Sequence, residues 1–308
     1  MTHPTVSAVI PAYNAERFIR KAIDSVLAQT VRVAEIIVVD DGSSDGTCAV
    51  VESYGGAVRL LRQSNGGPSV ARNVGVQAAQ SDFVALLDAD DAWHAEKIER
   101  QLASIAAVPG AVLCYTGILT VDEDGTERYH APAAPEHLGR LIRVSMPGIP
   151  PSCSLVRRSA FLQIGGFNPA LKGMEDWDFV LRLLRVGPFC SAAGPMLIYR
   201  ISSSGVSSDA DRILLEVKRM LDPVLLDGLG GLRRWYWRRR ILSYQTYKAG
   251  LTARATRNPR ELRYMLESIV LWPSLLWHPV RFKAAAWTLG SVLRRRMEGT
   301  RAGSASLR

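Results

Sequence analysis

The sequence predicts an α/β fold: a mixed, mainly parallel sheet flanked by helices, with a helical, basic C-terminal appendage. Three observations carry this expectation. Short apolar runs, often β-branched, recur at residues 6–10 (VSAVI), 35–39 (EIIVV), 57–61 (AVRLL) and 82–87 (DFVALL). Continuous runs of that length suit strands buried on both faces of a parallel sheet. Helical periodicity fills the gaps between them, and a β-α-β alternation of this kind builds a doubly wound sheet that binds ligands at the C-terminal ends of its strands. Charge then divides the chain. Residues 1–208 hold 18 basic and 21 acidic side chains, whereas residues 209–308 hold 20 basic and 8 acidic ones and five of the seven tryptophans. The reading is one α/β domain over 1–208 and a helical, Trp-rich region over 209–308.

Each element follows in order. The run 6–10 opens the sheet. Residues 16–29 place Phe18, Ile19, Ala22, Ile23, Val26 and Leu27 on one helical face, and residues 67–79 and 95–107 read as helices in the same way. Residues 112–121 (VLCYTGILTV) read as a strand, and 122–151, rich in Pro, Gly and charge, as a long functional loop with one short helix. SCSLVRR reads as a strand, EDWDFVLRLLRVG as a helix, and PMLIYR closes the domain near residue 200. SSSGVSS, residues 202–208, is a linker or lid by composition.

Composition also excludes. The four cysteines, Cys48, Cys114, Cys153 and Cys190, are far apart and form no CxxC pair. That argues against a zinc site or a disulfide framework and suits a reducing compartment. The stretch MTHPTVSAVIPAYN lacks the basic region and apolar core of a signal peptide.

Three strand ends carry polar clusters: PAYNAE (11–16), DDGSSDGT (40–47) and DADD (88–91). In a parallel sheet these converge on one crevice, which suits a nucleotide-sized ligand. In DADD, Asp88 and Asp90 stand at i and i+2 and would point the same way from an extended chain, with Asp91 at the following turn. Hard oxygen ligands of this kind suit Mg2+ or Mn2+ that shares its shell with phosphates. The competing reading makes Asp91 a cap of the next helix. DDGSSDGT could equally be turn and cap chemistry. NGGPSVARNVG (65–75) offers glycines for close approach and an arginine for an anion, without a Walker or GxGxxG pattern.

Taken together, SAVIPAYNAE, EIIVVDDGSSDGT, NGGPSVARNVG, FVALLDADD and GGFNPALKGMEDWDFVLRL resemble family 2 glycosyltransferases of the GT-A nucleotide-sugar-binding fold over roughly residues 5–205. The resemblance implies that Pro11, Ala12, Tyr13 and Glu16 line the nucleotide pocket. It gives Asp41 the base contact with Asp40 beside it, and places Arg72, Asn65 and Gly67 near base and diphosphate. Asp88 would contact the ribose, next to Ala89 and Asp90, and a divalent cation, Mg2+ or Mn2+, would sit on Asp90 with Asp91 as the other candidate. In GMEDWDF, Asp176, flanked by Glu175, matches the catalytic base of an inverting transfer. The residue-level alternative is a pair of first-turn acids stabilised by the helix dipole. One departure stands out: family members commonly carry a histidine shortly after the final YR, and here Ser202 follows Tyr199-Arg200.

The implied partners are a nucleoside-diphosphate sugar and a glycan or lipid-linked acceptor, in cell-surface polysaccharide synthesis. A nucleotidyltransferase and a non-catalytic sugar-nucleotide binder are the rival readings. RRWYWRRR (233–240) mixes basic and aromatic residues, and Pro273 and Pro279 interrupt the apolar stretch 267–296. No apolar run reaches the ~20 residues that span a bilayer. Such a segment suits peripheral contact with the cytoplasmic face of an anionic membrane, against the plainer reading of a helical cap with solvated arginines. No nucleic-acid module is present, and the sequence leaves oligomeric state open.

Overall fold

The computed structural model describes residues 4–122, 124–136, 138, 149–200, 209–256, 258–273 and 286. Two compact units separate, the first comprising the described residues up to Arg200 and the second those from Asp209.

The first unit is built on a nine-stranded mixed sheet. Its strands are β1 (Val6–Ala12), β2 (Glu35–Asp40), β3 (Arg59–Arg62), β4 (Phe83–Leu86), β5 (Ala92–Trp93), β6 (Leu113–Val121), β7 (Glu127–His130), β8 (Ser154–Arg157) and β9 (Phe189–Arg200). They run in the order β3-β2-β1-β4-β8-β6-β9-β5, with β7 paired to β6. β3, β2, β1 and β4 are parallel, so the C-terminal ends of β1, β2 and β4 lie at one edge of the sheet. β8 then enters antiparallel between β4 and β6. The helices are α1 (Ile19–Leu27), α2 (Thr47–Glu52), α3 (Pro68–Ala78), α4 (Lys97–Ala107), α5 (Arg158–Gln163) and α6 (Glu175–Leu183). β1 and β4 are buried along their whole length, which explains their uninterrupted apolar runs. Gly75 lets α3 lie close on the sheet: a Cβ there would come within 2.4 Å of Val9 Cγ1.

Three expectations need correction. The strand expected at 57–61 forms at 59–62, half exposed, because it is the sheet's outer edge. The loop expected over 122–151 begins with a β6–β7 hairpin, turned at Asp122–Thr126 with Gly125 at φ +82°. Glu127 to His130 are all exposed, so the apolar alternation that signals a strand is absent. Finally, Asp88 to Asp91 are not extended: the Asp91 N–H donates to the Asp88 carbonyl at 3.1 Å, closing a turn.

The second unit contains α7 (Ala210–Met220), α8 (Gly231–Ala255) and α9 (Glu261–Leu271). Asp209 caps α7 by accepting from the Arg212 N–H at 3.1 Å. Ala210, Leu214, Ala249, Ala253 and Tyr264 form its core. No described helix is long and apolar enough to cross a membrane. The segment 202–208, the middle of the 122–151 stretch, and most of the chain beyond Pro273 lie outside the described residues.

Candidate functional site

The first two strand-end loops interlock. The Asn14 N–H donates to Ser43 Oγ (2.9 Å), and Asn14 Oδ1 accepts from the Ser44 N–H (2.9 Å). Asn14 itself adopts φ +48°, the left-handed conformation that asparagine tolerates. Ala15 N–H reaches Thr47 Oγ1 (2.8 Å). Glu16 accepts from the Gly46 N–H at 3.0 Å, and a Cβ on Gly46 would strike its carboxylate. Glu16 therefore holds one loop to the other. Pro11 and Ala12 are buried, while Tyr13 is 54% exposed above them.

Asp40 and Asp41 are both buried. Asp41 accepts three hydrogen bonds, from Gln63 Nε2 (2.7 Å) and the Gly66 and Gly67 N–H groups (2.8 Å each). An ionised carboxylate has about four lone-pair sites, so one is left for a ligand donor. Asp40 Oδ1 is buried with no hydrogen-bond partner. Gly67, at φ +88°, begins α3 ahead of Pro68, and Asn65 is exposed next to it.

The turn at 88–91 carries three aspartates. Asp88 is half-buried, Ala89 and Asp91 are buried, and Asp90 is exposed. Although Asp90 is exposed as a residue, partial desolvation of its carboxyl and then the charge of Asp88 raise its pKa, and burial with the charges of Asp88 and Asp90 raises that of Asp91 to about 8. Asp91 Oδ1 accepts from the Arg200 N–H (3.3 Å), and its Oδ2 is buried with no hydrogen-bond partner. Asp91 does not cap a helix: β5 follows it, and α4 starts six residues later with no side-chain cap. Ser152 Oγ fixes the turn by accepting from the Asp88 N–H at 3.0 Å.

Arg72 ties this turn to the acidic helix. Its Nη2 donates to Asp88 Oδ1 at 2.6 Å, while its Nε and Nη1 are buried without hydrogen-bond partners. Burial opposes its charge, but Asp88, Asp176 and Glu175 outweigh that and hold it protonated. Its guanidinium lies 5.2 Å from the Phe167 ring centroid. Phe167 in turn stacks on Phe179 of α6 at 4.2 Å, and Asn73 clamps the Phe167 backbone with two hydrogen bonds of 2.9 and 2.8 Å. The GGF run is thus the buttress between α3 and α6.

Glu175 and Asp176 stand in the first turn of α6, whose stripe of Trp177, Val180 and Leu181 is buried. Asp176 Oδ1 is buried without a hydrogen-bond partner. Burial raises the Asp176 pKa to about 7; Arg72 works against the rise, and Glu175 and Asp88 add to it. A carboxyl poised there is suited to accept a proton at neutral pH.

A divalent cation fits these residues. No cluster of three or more ligating side chains is pre-assembled among the described residues. Two neighbouring aspartates, one with an orphaned buried oxygen, match a Mg2+-type ion that completes its shell with phosphate and water. Sequence reasoning missed Asn14, Asn73 and Ser152, whose side chains bond backbone groups, Gln63, whose side chain bonds Asp41, and Lys21, which lines a small cavity with Asp90, Asp91 and Arg200. Ser202 lies outside the described residues.

In the second unit most of the RRWYWRRR arginines have partners. Arg234 and Arg238 pair with Asp222 at 2.9 and 3.0 Å. Arg239 donates to the Leu271 and Val270 carbonyls at the end of α9, and Arg240 is buried against the Tyr236 hydroxyl. Leu232 is 84% and Val270 72% exposed. An apolar cavity of about 770 Å³ is lined by residues that include Leu214, Leu242, Leu262 and Leu266.

Comparison with known proteins adds the following. The profile of the family described as "Glycosyl transferase family 2" matches residues 7–165. An uncharacterized glycosyltransferase of Rickettsia felis is 36% identical over 193 residues, 60% of this chain and 32% of that protein. The hyaluronan synthase of Pasteurella multocida is 31% identical over 189 residues, 60% of this chain and 19% of that one. The chain thus spans about a third or less of these relatives. Among solved structures, S. aureus TarS 1-349 in complex with UDP superposes with a TM-score of 0.60 at 20% identity, covering 92% of this chain and 87% of that one. The Pyrobaculum calidifontis mannosyltransferase in complex with GDP-Man and Mn2+ superposes at 0.59 and 16% identity, covering 96% and 87%. The fold is therefore of the GT-A type, as the sequence motifs implied.

Proposed function

The chain belongs to glycosyl transferase family 2, and on that premise we propose that it transfers a sugar, with inversion, from a nucleoside-diphosphate sugar to a hydroxyl of a glycan or lipid-linked acceptor. One observation carries the reading: Arg72 pairs with Asp88 at the nucleotide-binding end of the sheet and lies in the field of Asp176 on α6. Donor site and proton acceptor are thereby linked through one cation.

The strand ends hold the nucleotide. Tyr13 offers an exposed ring beside Pro11 and Ala12, Asp41 and Asp40 accept from base N–H groups, Asn65 and Gly67 border the base, and Asp88 faces the ribose. Asp176 accepts the acceptor's hydroxyl proton while that oxygen bonds to the anomeric carbon and the bond from that carbon to the diphosphate oxygen breaks. Glu175 stands beside it. Arg72, already charged and buried, stabilises the negative charge that develops on the leaving diphosphate. A divalent cation, Mg2+ or Mn2+, held by Asp90 with Asp91 would supply further neutralisation of that diphosphate. Arg200 and Lys21 flank the acidic turn and supply cations beside Asp90 and Asp91.

For the second unit we propose peripheral contact with the cytoplasmic face of the membrane, which would suit a lipid-linked acceptor and cell-surface polysaccharide synthesis. The exposed apolar side chains and the apolar cavity support it more than the arginines do, since most of those are engaged internally.

A screen of donors with product analysis tests the main reading. Release of nucleoside diphosphate is expected. Pyrophosphate would indicate nucleotidyl transfer instead, and tight nucleotide binding without any release would indicate a binder.

A further inference from the structure

A cavity of about 250 Å³ opens beside Asp176, lined by Ile118, Thr120, His130, Ile149, Pro150 and Tyr199. The β6–β7 hairpin, whose second strand falls where the sequence predicts loop, supplies one wall. Register places these side chains together: Ile118 faces His130 across the β6–β7 pair, and Thr120 faces Tyr199 across the β6–β9 pair. Thr120 Oγ1 and His130 Nε2 are 3.1 Å apart, within hydrogen-bond distance.

Two features of the lining select a ligand. Ile118, Ile149 and Pro150 give an apolar surface, while the Thr120, His130 and Tyr199 tips supply hydroxyl and imidazole groups that both donate and accept. That combination fits a ring with a C–H face and hydroxyl edges. Charge is the second feature. Among the described residues no lysine or arginine lines the cavity, and its one acid is Asp176, which feels Arg72 as well as Glu175 and Asp88 from behind the lining. A phosphate or carboxylate seated there would meet the Asp176 carboxyl with no cation among the described lining residues. The volume lies below the roughly 300–1,000 Å³ typical of drug-sized ligands, which suits a single ring.

We propose that this cavity is the acceptor subsite, that it takes one neutral sugar ring, and that His130, through its contact with Thr120, holds the ring so that one hydroxyl faces Asp176. The inference rests on the glycosyltransferase reading for its role and on the hairpin geometry for its ligand.

Saturation-transfer NMR on the full chain, with methyl glycosides of neutral hexoses, methyl glucuronide, a hexose phosphate and ribitol as probes, reads occupancy without turnover. The neutral glycosides should show transfer, and it should vanish in Ile118→Trp, which fills the cavity, with folding checked by circular dichroism. Stronger binding of the glucuronide, the phosphate or ribitol, or no binding of any neutral glycoside, overturns the proposal. With a turned-over donor, His130→Ala should raise the acceptor KM about tenfold, the loss of one hydrogen-bonding group, and move the donor KM less than about twofold. His130→Gln should recover part of the acceptor KM. An unchanged acceptor KM in His130→Ala also overturns the proposal. Glycoside binding without nucleoside diphosphate release from any donor would count against the transferase reading alone and leave the subsite standing.

Discussion

Arg72 Nη2 lies 2.6 Å from Asp88 Oδ1, and two of its remaining guanidinium nitrogens are buried without hydrogen-bond partners. A buried cation with donors to spare, paired with Asp88 and in the field of Asp176, suits an anion in the proposed donor site. Arg72→Met should therefore lower kcat/KM by roughly 100-fold or more. Arg72→Lys, which keeps the charge but not the planar fork, should recover only a small part. Steady-state kinetics with a turned-over donor check both, and a Met variant within a few-fold of wild type would remove Arg72 from the mechanism.

The proposed base role of Asp176 predicts a pH dependence of definite sign. With its pKa raised to about 7, the group is protonated below that pH and cannot accept a proton. Transfer should rise as pH increases through about 7 and fall away toward pH 5 to 6. Stability runs the other way: a carboxyl whose folded pKa lies above its unfolded value of 3.8 contributes stability at low pH that is lost as pH rises through 7. Asp176→Asn should abolish transfer, keep nucleotide binding, and melt at or above the wild-type temperature at pH 8. Transfer at the wild-type rate in that variant would remove Asp176 from the base role.

Removing the divalent cation should suppress transfer. Excess EDTA is expected to reduce the rate at least tenfold, with recovery on adding Mn2+ or Mg2+. Asp90→Asn should weaken the cation dependence more than it weakens folding, because Asp90 is exposed. Asp91→Asn should also raise the melting temperature at neutral pH, because it replaces a buried carboxyl whose ionisation is disfavoured. Full activity in chelator would rule the cation out of the reaction.

The sequence revealed the parts of this site that sit at strand ends. An acid or glycine immediately after a buried apolar run has a local signature, and Asp40, Asp41, Asp88 and the glycines of residues 65–75 could be read that way. Features made by distant pairing had no such signature. β8 enters the sheet antiparallel from 70 residues away, Asn73 clamps a backbone 94 residues on, and β7 is exposed throughout. The turn at 88–91 shows the limit within a motif. The spacing predicts that Asp88 and Asp90 share a side as alternate residues of an extended chain, whereas a hydrogen bond from the Asp91 N–H to the Asp88 carbonyl closes the segment into a turn.

Lys97 offers a test outside the site. It is fully buried, donates to Gln101 Oε1 at 2.8 Å, and lies 4.2 Å from the Trp93 ring centroid. Burial lowers its pKa to about 7 from 10.5. The unfolded chain therefore binds more protons between those values, and stability should rise with pH from about 7 toward 10. Lys97→Met should flatten that rise. At pH 7 its loss of the bond to Gln101, about 1–3 kcal/mol for an acceptor left unpaired, should be partly offset by relief of the buried charge. Denaturant midpoints at pH 7 and pH 9 measure the slope, and an equal slope in both proteins would mean that Lys97 is not titrating there.

The membrane reading makes the last prediction, and the structure changes its terms. If exposed arginines drove binding, affinity would collapse with salt, since each basic contact near an anionic surface contributes about 1 kcal/mol and is screened within a Debye length. Here Arg234, Arg238 and Arg239 already serve Asp222 or the carbonyls at the end of α9, while Leu232, Trp235 and Val270 are exposed. The full chain should co-sediment with anionic vesicles in a salt-sensitive way, but with a residual apolar component that persists at 0.5 M salt. Leu232→Ser with Trp235→Ser should remove the residual component and leave the salt-sensitive one. No salt-sensitive binding to anionic vesicles at all would reject membrane contact through this unit.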